Sequence, residues 1–291
     1  MRIWSRRSLE GSRKRPSQAS FLAAMLLGAL GLVCGVQGAS AQSTLHVVLK
    51  RPDLARMFHE QGTVGTFVLY DVEDNQFTVI NGERVERPDI PASTFKIANS
   101  LIALETGVVK DENEIIPYGG KPQPVKAWEK DMSMREAITI SNVPIYQELA
   151  RRIGLERYQS WLAKLNYGNG KTGDAVETFW LKGPLRISAV EQVVFITQLA
   201  QKALPLSERS QSIVRDILRL ESRDGQILYG KTGWQTSADP KTGWWVGWVE
   251  RSGKIFSFAL NIDMPSLEDA PKRVAIGKAL LAELGVFQTA K

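Results

Sequence analysis

Between Thr63 and Val72 the chain alternates apolar with small or polar residues (TVGTFVLYDV), and it does so again in NQFTVINGE, residues 75–83, beyond the turn-rich Glu73-Asp74-Asn75. A period of two reads as two neighbouring β-strands. The period then changes. STFKIANSLIALETG, residues 93–107, returns apolar residues every three or four positions, opens after Pro91 and closes at Gly107, which predicts a helix. Helical spacing dominates from about 130 to 220, in MSMREAITI, PIYQELARRIG, RYQSWLAKL, SAVEQVVFITQLAQKAL and SERSQSIVRDILRLE. Near residue 226 alternation resumes in ILYGKTGW, GWWVGWVE and KIFSFALNID, the last two joined by the short turn Arg251-Ser252-Gly253, and PKRVAIGKALLAEL ends the chain as a helix. Strands at both ends with helices between them predict an α/β (α+β) fold. Its antiparallel sheet is formed by the N- and C-terminal segments and flanked by helices, with an all-helical subdomain inserted over roughly residues 110–220. A cleft is expected where the two parts meet.

The first 41 residues stand apart from this pattern. Arg2, Arg6, Arg7, Arg13, Lys14 and Arg15 form a basic region, FLAAMLLGALGLVCGV is apolar, and Ala39-Ser40-Ala41 is a small-residue cleavage site, together a secretory leader. The apolar run has 16 residues, short of the ~20 that a spanning helix needs. Val33 before Cys34, where a lipid-attachment signal carries a small residue, argues against lipidation. The expectation is a signal peptide over 1–41 and one domain over 42–291, delivered to the periplasm with no stable membrane association once the leader is cleaved.

Charge changes meaning with the leader removed. It holds six of the 37 basic and one of the 31 acidic residues, leaving 31 against 30, so a nucleic-acid partner is not expected. The single cysteine, Cys34, also leaves with it. His46 and His59 are the only histidines, so a zinc site would have to lean on carboxylates, a Ser-His-Asp triad has few candidates, and no G-x-S-x-G elbow is present. Neither a metal nor a nucleotide is expected as cofactor. The run GNGKTGD at 168–174 suggests a phosphate loop but fails on both sides: Leu165 stands where the first glycine should be, a helical pattern precedes it, and no long helix follows.

Three short motifs remain. Ser93-Thr94-Phe95-Lys96 is the only S-x-x-K; at a helix start its Ser and Lys share a face, and the helix N-terminus offers N–H donors where an oxyanion would form. On its own the motif equally suits a helix-capping serine and a solvated lysine. Ser141-Asn142-Val143 lies between two helical stretches, where a hydroxyl could enter the cleft. Lys-Thr-Gly occurs at 171, 231 and 241, and only Lys231-Thr232-Gly233 falls on a strand, with a glycine that lets a ligand approach its edge.

P-A-S-T-F-K, then S-x-V, then Tyr167-Gly168-Asn169, then K-T-G followed by an aromatic, in this order and spacing, resemble the class D (oxacillinase-type) serine β-lactamases. FWLKGPLRIS and GWWVGWVE are close to family-typical text, and the resemblance runs from about 62 to 285. It departs at PYGGKP, residues 117–122, and at Gly170 to Asp174, beside the core motifs. The resemblance implies a serine β-lactamase/penicillin-binding transpeptidase-like fold. It implies hydrolysis of penicillin-type β-lactams, a substrate class in which oxacillin and carbapenems stay open; the short loop TSADPKT is similar to that of carbapenem-hydrolysing members. It further implies Ser93 as nucleophile and Lys96 carrying carbon dioxide as a carbamate base, with Trp180 donating to it. Ser141 relays a proton, assisted by Lys231, and Val143 lines the site. Ser93 and Trp234 offer backbone N–H groups, and Thr232 and Arg273 hold the substrate carboxylate. A homodimer stays open. The alternative reading is a β-lactam sensor or penicillin-binding domain that is acylated without turnover.

Overall fold

The protein is described here by a computed structural model covering residues 47–288. The leader, Cys34 and His46 lie outside the described residues. The main sheet has seven strands in the order β1-β3-β2-β9-β8-β7-β6. They are β1 (Val47–Lys50), β2 (Gly65–Asp71), β3 (Gln76–Ile80), β6 (Arg219–Arg223), β7 (Gln226–Gln235), β8 (Thr242–Arg251) and β9 (Lys254–Asp263), while β4 (Ile115–Ile116) and β5 (Met132–Ser133) form a separate pair. Every neighbouring pair in the main sheet is antiparallel except β1 beside β3, which runs parallel and makes the sheet mixed at that edge. The two termini close the sheet through β2 and β9, with Gly65 opposite Ile262.

The longer helices are α1 (Lys96–Glu105), α2 (Met134–Thr139), α3 (Val143–Ile153), α4 (Leu155–Leu165), α5 (Ala189–Ala200), α6 (Glu208–Ile217) and α7 (Ala270–Glu283). Local chemistry sets their starts: Ser133 and Ser188 close capping boxes with Glu136 and Glu191, and Asn142 caps α3 through the Ile145 N–H. β8 reads as an almost unbroken apolar run because it is covered on both faces. Trp245 joins Phe67, Phe258 and Leu260 in a core roofed by Ile276, Leu280 and Leu281 of α7, whereas Trp244 and Val246 project from the opposite face. Among the described residues, no helix is long and apolar enough to cross a membrane.

Three features differ from the sequence pattern, the first being the β4–β5 pair inside the part expected to be all-helical. The helix expected through Glu221 stops at Ile217, and Arg219–Arg223 instead pairs with the start of β7. Val47–Lys50 forms an exposed edge strand that alternation alone did not mark.

Candidate active site

The nucleophile candidate sits in a 3-10 turn, Ala92–Phe95, that runs directly into α1 at Lys96. Lys96 Nζ donates to Ser93 Oγ at 2.9 Å. Ser93 is half-buried and Lys96 completely buried, so the solvated lysine of the bland reading is not what the fold makes. With no carboxylate partner among the described residues, the amine is penalised by burial, and the charge of Lys231 pushes the same way; both hold its pKa well below the usual lysine range. The ring over the amine is that of Tyr146, with Nζ 5.2 Å from its centroid. Phe95 turns instead into a cluster with Tyr158, Tyr167, Phe179 and Trp180.

Ser141 lies in the turn between α2 and α3 in the left-handed region, φ 56°, a conformation a non-glycine residue keeps only where its surroundings enforce it. Lys231 Nζ donates to Ser141 Oγ at 3.0 Å and to its neighbour's carbonyl, Thr232 O, at 2.9 Å. Burial, aided by the charge of Arg273, brings Lys231 down to about 7. One strand of the main sheet and two separate helical segments thus bring Ser93, Lys96, Ser141 and Lys231 together.

The register of β7 orients the rest. β6 covers its edge only as far as Tyr229, and the Gly230 N–H turns to that side to bond Leu218 O at 3.0 Å. Alternation therefore directs the Trp234 N–H to the same edge, where no strand follows. Thr232 is opposite Trp245 and shares its face with α7, from which Arg273 Nη1 reaches the Gly233 carbonyl at 2.6 Å. Arg273 forms no salt bridge with a carboxylate among the described residues, and burial lowers its pKa to about 10. The Trp234 indole itself is spent on Met264 O at 2.9 Å.

Trp180 is fully buried, stacks on Phe95 at 5.5 Å, and its Nε1 has no hydrogen-bond partner. Its segment is clamped by the Tyr-Gly-Asn box: Asn169 Nδ2 donates to Pro184 O, and Asn169 Oδ1 accepts from Arg186 N. Val143 is the half-buried first residue of α3, one turn before Tyr146. The other two Lys-Thr-Gly copies do structural work, although the copy at 241, expected off a strand, has Thr242 and Gly243 as the first two residues of β8. Lys171 N caps onto Asn169 Oδ1, and the Thr242 hydroxyl bonds buried Asp89.

The penicillin binding protein transpeptidase domain family matches residues 65–282. Among curated proteins, β-lactamase OXA-5 of Pseudomonas aeruginosa is 40% identical over 233 residues, 79% of this chain and 87% of that protein. β-Lactamase OXA-48 of Klebsiella pneumoniae is 42% identical over 226 residues, 78% and 85% of the two chains. The crystal structure of FUS-1 (OXA-85), a class D β-lactamase from Fusobacterium nucleatum subsp. polymorphum, superposes with TM-score 0.80 at 42% identity, covering 82% of this chain and all of that one. The chain belongs to the class D β-lactamases. It is accordingly a serine β-lactamase by family, with the mixed sheet-and-helix fold of that group.

Some residues packed around this class D site escaped the sequence reading. Tyr146 could have been found as the buried-face partner one turn along from Val143. Gln192 is a polar residue among the apolar positions of α5 and donates from Nε2 to Thr94 Oγ1 at 2.8 Å.

Proposed function

We propose that this class D β-lactamase opens the lactam ring of penicillin-type antibiotics through an acyl intermediate on Ser93, and that the buried Lys96 amine is the base that makes the serine nucleophilic. Hydrolysis follows from family membership; the roles of the residues rest on geometry. An amine charged at neutral pH cannot accept a proton, whereas burial drives Lys96 toward its neutral form 2.9 Å from the hydroxyl it must activate. As Ser93 Oγ bonds to the lactam carbonyl carbon, its proton passes to the base and the C–N bond breaks. The leaving nitrogen takes a proton through Ser141, which Lys231 resupplies; a lysine near pH 7 is suited to both giving and recovering a proton. The developing oxyanion falls at the Ser93 and Trp234 N–H groups, and the substrate carboxylate falls between Thr232 and Arg273.

A carbamate on Lys96 fits these residues. A buried amine pushed toward its neutral form and, stacked on the adjacent Phe95, a buried indole whose N–H is unpaired suit such a group, and Lys96 and Trp180 would hold it. When formed, it supplies an anionic oxygen base in place of the amine nitrogen. The basic and apolar segments of the first 41 residues support export to the periplasm, where cell fractionation should find the enzyme.

The single observation carrying this reading is the contact of Ser93 with a fully buried Lys96. The test is steady-state turnover of a penicillin at mildly acid pH with and without bicarbonate. Many equivalents hydrolysed, activity recovered on adding bicarbonate, and none with Ser93→Ala are expected. One equivalent consumed followed by a halt would assign the chain to the acylated-and-stalled class instead.

A further inference from the structure

We propose that Gln192 is a positioning residue for the nucleophile and acts on it through Thr94. The inference rests on the reading that Ser93 is the acylated residue. Immediately before Ser93, Ala92 holds φ 49°, a left-handed conformation that a non-glycine residue keeps only when its surroundings over-determine it. Those surroundings converge on Thr94. Its hydroxyl donates to Pro91 O at 2.8 Å and its N–H to the same carbonyl at 3.2 Å, closing the turn that contains Ala92 and Ser93. With its proton committed to Pro91, the Thr94 oxygen accepts from Gln192 Nε2 at 2.8 Å. The buried Tyr167 ring packs edge-on against Phe95 of the same turn at 5.5 Å, and its hydroxyl has no hydrogen-bond partner among the described residues.

From the opposite side β7 presses on the same turn. Gly233 has room for no side chain, since a Cβ there would lie 2.9 Å from Pro91 O and 3.1 Å from Thr94 Cγ2. Thr94 is therefore held between a strand and a helix, and its orientation sets where Ser93 Oγ stands relative to Lys96 and to the edge of β7. An apolar residue at 192 would suit α5, whose Ala189, Val190, Val193 and Ile196 are all buried; the glutamine adds direction, which an apolar contact lacks. The Tyr-Gly-Asn box thus joins both halves of the site. Its tyrosine packs against Phe95 of the nucleophile turn and its asparagine fastens the segment that bears Trp180.

The role is one of geometry, so it affects the step that needs the serine oxygen in line and spares the step in which water attacks an ester already formed. In Thr94→Val and Gln192→Leu, the acylation rate constant measured by stopped flow is expected to fall about 10–100-fold, the effect of displacing a reacting atom by an ångström or less. Deacylation should stay within about twofold of the unmodified enzyme in both. Thr94→Ser, which keeps the hydroxyl, should regain most of the acylation that Thr94→Val loses. Equal losses in both steps, or a Thr94→Val variant that acylates normally, would overturn the proposal. Should Gln192→Leu fail to fold, the Thr94 pair decides alone. Labelled penicillin on Ser93→Ala separates the two readings: covalent labelling there removes the nucleophile assignment itself, and its absence leaves the positioning result to stand or fall on the other variants.

Discussion

Lys96, Lys231 and Arg273 are three basic groups brought close to one cleft, and no salt bridge offsets any of them among the described residues. Each is depressed in pKa chiefly by burial. The cost appears as lost stability. The unfolded lysine binds a proton up to about its ordinary value of 10.5, whereas folded Lys96 releases it far lower, so this site opposes folding at neutral pH and opposes it less as pH rises toward 10.5. Lys96→Met should abolish turnover yet raise the unfolding free energy at pH 7, because it removes a buried amine whose charged form is penalised. Urea unfolding at pH 7 and pH 10 checks the sign, because the advantage of the variant must shrink at the higher pH. Arg273→Ala should raise KM for penicillins about 10–100-fold, the worth of one hydrogen bond to a charged group, with kcat changed far less. A lactam esterified at its carboxylate should not distinguish the variant from the parent enzyme.

Between elements the decisive contact is α7 against the sheet. Gly277 passes directly over Trp245, and a Cβ there would come 2.2 Å from the Trp245 ring. Gly277→Ala gains roughly 1 kcal/mol of helix propensity but loses about 1–3 kcal/mol to overpacking. Arg273 stands one turn earlier on the same helix, so the displaced helix should also raise KM, and urea midpoints measured beside kinetics would reveal both effects. The same scale explains what could be read in advance. α3, α4 and α7 were legible because their apolar spacing and their ends are local properties. β6 was not: Ile217, Leu218 and Leu220 continue a helical spacing, and only pairing with Gln226–Tyr229 makes a strand of Arg219–Arg223. Ser93 and Lys96 were legible because three residues on one face is a local fact. The service of Gln192 to Thr94 and the ring of Tyr146 over Lys96 join distant segments, which no spacing rule reports.

At the scale of the whole molecule, β2, β9 and β8 hold the centre of the sheet, with α5 on one face and α7 on the other, while β1 and β6 are exposed edges. Native-state hydrogen exchange should find the slowest amides in β2, β8 and β9 and the fastest strands in β1 and β6, a ranking that a sheet opening from its middle would reverse. The broad architecture followed from strands at both ends of the chain. The parallel seating of β1 did not, since an exposed edge strand shows no buried face in its sequence. The junction of β2 with β9 also has a bearing on synthesis. A chain still leaving the ribosome already carries Ser93 and Lys96, but its first central strand has no second neighbour, and Lys231 and Thr232 arrive only with Gln226–Gln235. The sheet therefore cannot close, nor can Lys231 meet Ser141, until the chain through Asp263 has been made.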